Sequence, residues 1–215
     1  MEVRARRYPR VAPMRFDLLV FDLDGTLIDS APDIVASLQA VQRRLGREVL
    51  PDAQIVAAIG GGVRTLIAKT SAPPYEPVVE EFLREYEAHL LDRTRPFPGV
   101  AETLAELPGR KVVLTNKPHR LSVKAVEGLG LMRHFEAVYG GDFFPTRKPD
   151  ADCFRRAARG AERPLMIGDS GVDVATARNA GAPVCAVTYG YWKPGELDGA
   201  DYRIDAFSEL RALLR

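Results

Sequence analysis

The sequence has little cysteine, no long apolar run and almost no net charge. Its 215 residues include two cysteines, too few for a disulfide framework, which favours a reducing, cytoplasmic setting. No stretch approaches the ~20 apolar residues of a membrane-spanning helix, and the N-terminal segment lacks the apolar core of a secretory signal. Thirty Lys and Arg against 29 Asp and Glu give a formal charge of +1. We therefore expect a cytoplasmic protein with no nucleic-acid or membrane partner.

The apolar content is sufficient for a buried core. Hydrophobic residues make up 46% of the chain and charged residues 27%, which excludes intrinsically disordered and collagen-like classes. The length suits one domain with a modest insertion better than two full-sized domains. Residues 1–15 are rich in arginine and interrupted by proline, so we interpret them as a tail outside this domain.

The order of strand and helix patterns predicts an α/β fold. Leu18–Phe21 are four consecutive apolar residues, typical of a strand buried on both faces of a parallel sheet. Residues 30–96 carry only helical patterns, whereas strand and helix patterns alternate from Phe97 onward. Such alternation indicates β-α-β units, and the V-V-L-T and L-M-I-G-D runs exclude an all-helical protein.

We therefore predict a doubly wound, Rossmann-like parallel sheet with a small α-helical domain inserted after its first strand. Residues 16–29 and 97–215 would form the core domain, and residues 30–96 would form the helical insertion. Residues 1–15 would remain outside both as the tail.

Polar residues able to do chemistry fall where the predicted strands end. Asp22 and Asp24 follow the first strand, and Asp169 follows the L-M-I-G run. Because ligands of open parallel sheets bind beyond the carboxyl ends of the strands, we expect these acids to converge. Other candidates near strand ends or helix starts are Thr115, Asn116, Lys148 and Asp173.

Converging carboxylates need a compensating positive charge. Asp22 and Asp24 are two residues apart and face the same side of an extended chain. Asp169 and Asp173 are four residues apart and would be neighbours at the start of a helix. Four clustered carboxylates repel one another unless protons or a cation neutralise them. Oxygen ligands without a nearby His or Cys favour Mg²⁺ over Zn²⁺, and Lys148 would add one further positive charge.

Four motifs, in this order along the chain, resemble those of the haloacid dehalogenase superfamily. They are V-F-D-L-D-G-T, V-L-T-N-K, K-P-D-A-D and I-G-D-S-G-V-D, and the similarity runs from about residue 16 to the C-terminus. The superfamily's dehalogenases lack the second acid of the first motif, because a halide leaves without a proton. The presence of Asp24 therefore indicates phosphoryl transfer.

The resemblance implies catalytic and metal-binding roles for five residues. Asp22 would attack phosphorus to form an aspartyl-phosphate, and Asp24 would protonate the leaving alkoxide and then activate water. Lys148 would offset charge on the nucleophile and the phosphoryl group. Mg²⁺ would bind Asp22, Asp169 and the backbone carbonyl of Asp24, while Asp173 would hold a metal-bound water or orient Lys148.

The resemblance also implies a phosphate site and a substrate. Thr115 and the Asn116 amide would bind phosphate oxygens. The helical insertion resembles the superfamily's small cap, which favours a small phosphorylated metabolite as the partner. The I-G-G-G-V-R segment is similar to bacterial phosphoglycolate phosphatases, so 2-phosphoglycolate is the expected substrate. Gly61, Arg64 and Lys117 are its expected cap-side contacts, because a helix N-terminus and an arginine suit a carboxylate.

Other functions fit part of the pattern. A sugar-phosphate mutase, a pyrophosphatase or a nucleotidase of the same superfamily would share the motifs. A signalling receiver domain also gathers acids, threonine and lysine around a phosphorylatable aspartate. It would not explain the helical insertion or Asp24, so a receiver is disfavoured. The sequence leaves the oligomeric state open.

Overall fold

A computed structural model describes residues 16–214 of the chain. The predicted tail, residues 1–15, lies outside the described residues. The strands are β1 (Leu18–Phe21), β2 (Ile28–Asp29), β3 (Arg95–Pro96), β4 (Arg110–Leu114), β5 (Ala137–Tyr139), β6 (Pro164–Gly168), β7 (Val184–Val187) and β8 (Tyr202–Ile204).

Nine α-helices accompany the strands in the described part of the chain. They are α1 (Ala31–Arg44), α2 (Asp52–Val56), α3 (Val63–Thr70), α4 (Glu76–Ala88), α5 (Val100–Glu106), α6 (His119–Gly128), α7 (Ala151–Ala157), α8 (Gly171–Ala180) and α9 (Leu210–Leu213). Short 3₁₀ turns cover Met132–His134 and Phe207–Glu209. No helix within residues 16–214 has the length and apolar character needed to cross a membrane.

Six strands form a parallel sheet in the order β5-β4-β1-β6-β7-β8. The chain begins at the centre with β1, winds outward to β5, and then returns to wind outward to β8 on the other side. This is a doubly wound arrangement, in which a binding crevice forms where the winding direction reverses. The predicted α/β fold class is confirmed.

Both faces of the sheet are buried, as the apolar run in β1 predicts. Leu19 and Phe21 contribute to the core on one face, where Phe21 lies 5.8 Å from the ring of Phe207. Leu18 and Val20 contribute to the core on the other face. This alternation follows from the two-residue period of a strand, and helices cover both surfaces.

Helices α1 to α4 form the inserted helical cap between β2 and β3. These two strands pair antiparallel, Ile28 with Pro96 and Asp29 with Arg95. The pairing was not predicted, because a two-residue strand is too short to show a period in the sequence. Helix α5 was not predicted either; it starts directly after Gly99, whose φ is 77°.

Hydrogen bonds to a buried aspartate stabilise the junction between cap and core. The Asp33 carboxylate in the first turn of α1 accepts hydrogen bonds from the backbone N–H groups of Arg93 and Thr94, at 2.8 to 3.0 Å. It also accepts one from the Thr94 hydroxyl at 2.7 Å. The start of the first cap helix is therefore tied to the segment that leaves the cap.

A tyrosine of the core domain accepts hydrogen bonds at the N-terminus of α1, the first helix of the inserted cap. The Tyr191 hydroxyl accepts hydrogen bonds from the N–H groups of Ser30 (2.9 Å) and Ala31 (3.0 Å) and donates one to Asp29 Oδ1 (2.7 Å). The first N–H groups of a helix have no partner within the helix, so an outside acceptor stabilises its start. Tyr191 thereby links the loop after β7 to the base of the cap.

We predict that Tyr191→Phe lowers the free energy of unfolding by about 1–3 kcal/mol, because buried N–H groups at the start of α1 lose their acceptor. Tyr189→Phe is the matched control, since the Tyr189 hydroxyl makes one bond, to the Thr26 carbonyl at 2.9 Å. Its loss should be smaller. Urea unfolding in metal-free buffer measures both, and equal stability of Tyr191→Phe and wild type would contradict the capping role.

Candidate active site

Three buried carboxylates meet at the carboxyl edge of the sheet. Asp22 follows β1, Asp169 follows β6 and Asp173 lies in the first turn of α8. The Asp22 N–H donates to the Ile167 carbonyl at 2.9 Å, which extends the β1–β6 pairing by one residue. One oxygen from each carboxylate lies within 4.8 Å of the other two. We call Asp22, Asp169 and Asp173 the carboxylate cluster.

A buried lysine partly neutralises the carboxylate cluster. The Lys148 ammonium lies 2.6 Å from Asp173 Oδ1 and 2.8 Å from Asp22 Oδ1. Burial alone would lower the pKa of Lys148, but the Asp173 and Asp22 carboxylates raise it above its ordinary value. Lys148 is therefore a stable cation, although one positive charge does not balance three carboxylates.

Burial, together with the excess negative charge, raises the pKa of two cluster members. Burial raises the pKa of Asp22 to about 7; it outweighs the opposing Lys148 ammonium and is reinforced by the Asp173 carboxylate. Burial, together with the charges of Asp173 and Asp22, raises the pKa of Asp169 well above its ordinary value. A cation bound among these groups would favour their ionised forms.

Hydrogen bonds fix the direction of the carboxylates. Asp169 accepts from the Thr26 hydroxyl at 3.0 Å and from the Tyr191 N–H at 2.7 Å. Asp173 Oδ2 accepts from the N–H and hydroxyl of Ser170, at 3.1 and 2.7 Å. These bonds hold the charged oxygens close together despite their mutual repulsion.

Two glycines leave the space that the carboxylates occupy. A Cβ on Gly25 would lie 2.3 Å from Asp169 Oδ2, and a Cβ on Gly168 would lie 2.2 Å from Asp173 Cγ. Both distances are far below a normal van der Waals contact. Gly25 also has a φ of 86°, a conformation that side chains disfavour. Any larger residue at either position would displace a cluster carboxylate.

The carboxylate cluster fits a hard divalent cation. Its three buried carboxylates are compensated by one ammonium, that of Lys148, which lies 2.8 Å from Asp22 Oδ1. Buried carboxylates in excess require further positive charge, and carboxylate oxygens are preferred ligands of Mg²⁺. Asp22, Asp169 and Asp173 are therefore the residues that could hold the metal.

The Asp24 side chain belongs to a separate group. Its carboxylate accepts hydrogen bonds from the Lys117 ammonium (3.0 Å) and the Ser30 hydroxyl (2.7 Å). The same ammonium donates to the Tyr86 hydroxyl at 2.5 Å. Since this carboxylate lies outside the carboxylate cluster, the metal contact predicted for Asp24 depends on its backbone carbonyl. Asp22 and Asp24 nevertheless line the same cavity.

Thr115 and Asn116 lie next to that cavity at the end of β4. The Thr115 hydroxyl accepts a hydrogen bond from the Lys117 N–H at 3.3 Å. The side-chain amide of Asn116 donates to the carbonyls of Gly60 (3.0 Å) and Lys148 (3.1 Å). This amide therefore joins a cap loop to the core, and phosphate binding by Asn116 would fall to its backbone N–H.

Two adjacent cavities lie between cap and core. The smaller, of about 40 Å³, has apolar walls that include Ile34, Leu66 and Phe82. The larger, of about 420 Å³, reaches Asp169 and Lys148. The residues shared by both are Asp24, Ile59, Gly60 and Asn116. Of the predicted cap-side contacts, Lys117 lines the smaller cavity and Gly61 the larger.

Arg64 is not brought to the site. Its exposed side chain forms an ion pair with Glu76 and lines neither cavity. Val63 and Leu66 of the same helix do line the smaller cavity. Successive helical residues are about 100° apart, so these two residues turn Arg64 away. The predicted contact of Arg64 with a substrate carboxylate has no support in this geometry.

Three residues that connect cap and site were not identified from the sequence. They are Ser30, Tyr86 and Tyr191, whose hydroxyls contact Asp24, Lys117 and the start of α1, respectively. The available signal was that a buried tyrosine hydroxyl needs a hydrogen-bond partner.

Comparison with known proteins identifies the family. Residues 19–187 match the family described as haloacid dehalogenase-like hydrolase. A phosphoglycolate phosphatase of Chromobacterium violaceum is 36% identical, with 92% of this chain and 96% of the relative covered. An N-acetylmuramic acid 6-phosphate phosphatase of Pseudomonas aeruginosa is 32% identical, with 92% and 94% covered.

A solved structure shares the same fold. The crystal structure of a predicted phosphoglycolate phosphatase from Haemophilus somnus superposes with a TM-score of 0.89 at 25% identity, covering 95% of this chain and all of that one. The chain therefore belongs to the haloacid dehalogenase-like hydrolase family. It is an enzyme, a phosphoric monoester hydrolase, which confirms the resemblance inferred from the four motifs.

We predict that Asp22→Asn stabilises the metal-free protein at neutral pH. The pKa of Asp22 in the fold, about 7, lies above its ordinary value of 3.8, so ionisation destabilises the fold as pH rises between these values. Removing the charge should raise the thermal midpoint at pH 8 more than at pH 5. A gain of ~1 kcal/mol corresponds to about 2–4 °C for a chain of this size.

Thermal unfolding in EDTA at both pH values measures this difference. Asp152→Asn is the control, because the Arg156 side chain lowers the pKa of that exposed carboxyl and its removal should bring no gain at pH 8. An Asp22→Asn gain that is absent at pH 8, or equal at both pH values, would contradict the charge imbalance.

Proposed function

We propose that the protein is a Mg²⁺-dependent phosphatase that hydrolyses a small phosphomonoester through an aspartyl-phosphate on Asp22. The observation that carries the proposal is that Asp22, a member of the carboxylate cluster, lines one cavity with Asp24. This supports the proposal, because a nucleophile and an acid–base group that line one cavity could act on the same ester. No other pair of acidic residues lines that cavity in the described part of the chain.

In the first step, Asp22 forms a bond to phosphorus and the bond between phosphorus and the alkoxide oxygen breaks. Asp24 transfers a proton to that oxygen, so the product leaves as a neutral alcohol. Asp24 takes up this proton from solvent as its carboxyl group turns away from the Lys117 ammonium, 3.0 Å away in this structure.

In the second step, water attacks the aspartyl-phosphate. Asp24 takes the proton from this water, the bond between phosphorus and Asp22 breaks, and inorganic phosphate leaves. Asp24 is then protonated again, as it was when the first step began. Asp24 acts as acid and then as base, which matches its position beside Asp22 in the cavity.

Charge on the phosphoryl group is stabilised by several groups of the protein. The Lys148 ammonium, held between Asp22 and Asp173, offsets negative charge at the reacting oxygen. Thr115 and the Asn116 backbone would bind phosphate oxygens. Mg²⁺, held by Asp22, Asp169 and the Asp24 carbonyl, with Asp173 holding one of its waters or orienting Lys148, would supply a positive charge that orients the phosphate.

We propose 2-phosphoglycolate as the substrate. The phosphoglycolate phosphatase of Chromobacterium violaceum supports this choice over nearly the whole chain. The cavity beside Asp24, about 40 Å³, suits a substrate with few atoms beyond its phosphate. The Pseudomonas aeruginosa relative makes N-acetylmuramic acid 6-phosphate a second candidate. A sugar of that size would have to extend into the adjacent cavity of about 420 Å³.

We also propose that residues 16–29 and 97–215 act as the catalytic domain and residues 30–96 as a cap that closes over the substrate. The Asn116 bond to the Gly60 carbonyl and the Lys117 bond to Tyr86 support this division, because both join core to cap beside the site. Closure would exclude water from the reacting groups.

Asp22→Asn and Asp24→Asn are expected to lower phosphate release by roughly three orders of magnitude, because each removes a reacting group. The assay is phosphate release from 2-phosphoglycolate with Mg²⁺, and EDTA should abolish the wild-type rate. Asp198→Asn, which changes an exposed carboxylate paired with Arg203, is the control and should keep the wild-type rate. A nearly normal rate in Asp22→Asn would contradict the aspartyl-phosphate.

A substrate panel is expected to show release of inorganic phosphate with the highest kcat/KM on 2-phosphoglycolate. The panel includes N-acetylmuramic acid 6-phosphate, a hexose phosphate, a nucleotide and pyrophosphate. Conversion of the hexose phosphate to its isomer without phosphate release would support a mutase, and preference for pyrophosphate or the nucleotide would support those alternatives. Either result would overturn the proposed substrate.

A further inference from the structure

The smaller cavity contains a buried ammonium that the proposed chemistry leaves without a task. Lys117 is the only cation among the described residues that line this cavity. Its side chain is 3% exposed, so its charge is nearly removed from water. Such a charge requires a partner, and in this structure the partner is the Asp24 carboxylate.

The position of this ammonium is fixed from the cap. The Lys117 ammonium donates to the Tyr86 hydroxyl of α4 and lies 4.4 Å from the centre of the Tyr86 ring. Tyr86 is itself buried and stacks on Phe82, with ring centres 5.4 Å apart. The ammonium is therefore held at the boundary between cap and core and faces the substrate space.

The proposed reaction removes the counter-charge of Lys117. When the Asp24 carboxyl turns to the ester oxygen, its two hydrogen bonds to the ammonium, at 3.0 and 3.3 Å, must break. An unpaired buried ammonium is costly, so another anion must take the place of Asp24. Among described residues lining the smaller cavity, the remaining acid is Asp22, which the reaction already uses.

The size of the cavity limits what that anion can be. Its volume is about 40 Å³, against about 420 Å³ for the adjacent larger cavity. A carboxylate on a short link therefore suits the space beside Lys117 better than a second phosphate or a sugar. The apolar side chains of Ile34, Leu66 and Phe82 exclude water around it, which strengthens a charge-assisted hydrogen bond.

We propose that Lys117, held by Tyr86, is a subsite for a carboxylate of the substrate, and that this carboxylate replaces Asp24 as its counter-charge. The proposal rests on the proposed phosphatase function and adds a reason for specificity. Binding of a carboxylate-bearing phosphate ester releases Asp24, which can then take up the proton that it transfers to the ester oxygen. An ester without a carboxylate leaves Asp24 held by Lys117 as an ionised carboxylate. Lys117, one of the expected cap-side contacts, thus takes the carboxylate-binding role that was also expected of Arg64.

The test compares 2-phosphoglycolate with ethyl phosphate, which has no carboxylate. It also includes the amide of 2-phosphoglycolate, in which a neutral amide replaces the carboxylate. Wild type should prefer 2-phosphoglycolate to both in kcat/KM by about tenfold or more. Lys117→Met should remove most of this preference, with the KM for 2-phosphoglycolate rising more than that for ethyl phosphate. Tyr86→Phe, which keeps the ring, should reduce the preference by a smaller factor.

Lys124→Met is the matched control, because Lys124 is an exposed lysine on the helix after Lys117 and should leave the preference unchanged. Circular dichroism checks that each variant folds. If Lys117→Met does not fold, Tyr86→Phe still tests the subsite. Wild type that hydrolyses all three esters equally, or Lys117→Met that keeps the preference, would overturn the subsite but leave the phosphatase function standing. Failure of wild type on all three esters would instead overturn the proposed function.

Discussion

Excess negative charge buried at the carboxyl edge of the sheet is the constraint on which the rest of the structure depends. Three carboxylates meet there with a single ammonium, that of Lys148, between two of them. Replacing buried ion pairs by apolar residues often stabilises a protein, so such a cluster lowers the stability of the fold. Its presence therefore indicates a functional site. Gly25 and Gly168 leave room for it, and backbone N–H groups hold it in place. The local backbone therefore allows the three carboxylates to lie close together.

The same constraint connects the core to the cap. The Tyr191 N–H donates to Asp169, and the Tyr191 hydroxyl accepts from the N–H of Ser30, so one residue contacts both the carboxylate cluster and the start of α1. On the other side of the cavity, Lys117 joins Asp24 to Tyr86. The doubly wound topology brings these segments together, because β1 and β6 are neighbours where the winding reverses. The contacts between cap and core and the position of the Asp24 carboxylate therefore depend on neighbouring residues of the site.

Much of this site could be predicted from the sequence, since its strand-end residues are adjacent in a parallel sheet. Asp22 and Asp169 directly follow continuous apolar runs, and such a run is a local signal of a buried strand. Tyr86 and Tyr191 escaped prediction because their partners, Lys117 and the start of α1, lie 31 and about 160 residues away. Arg64 was expected at the site because the sequence does not show which face of α3 lies against the cavity. Packing of the other residues of α3 decides that face and places Arg64 beside Glu76. Long-range contacts of this kind leave no period in the sequence.

Calorimetric titration of the metal-free protein with Mg²⁺ tests the central claim most directly, when run near pH 6.5 in two buffers of different ionisation enthalpy. The raised pKa values of Asp22 and Asp169 mean that part of the carboxylate cluster is protonated at this pH. Binding of Mg²⁺ should therefore release protons, and the observed heat should differ between the buffers. Absence of Mg²⁺ binding at millimolar concentration, or binding with no proton release, would contradict a carboxylate cluster built around a divalent cation.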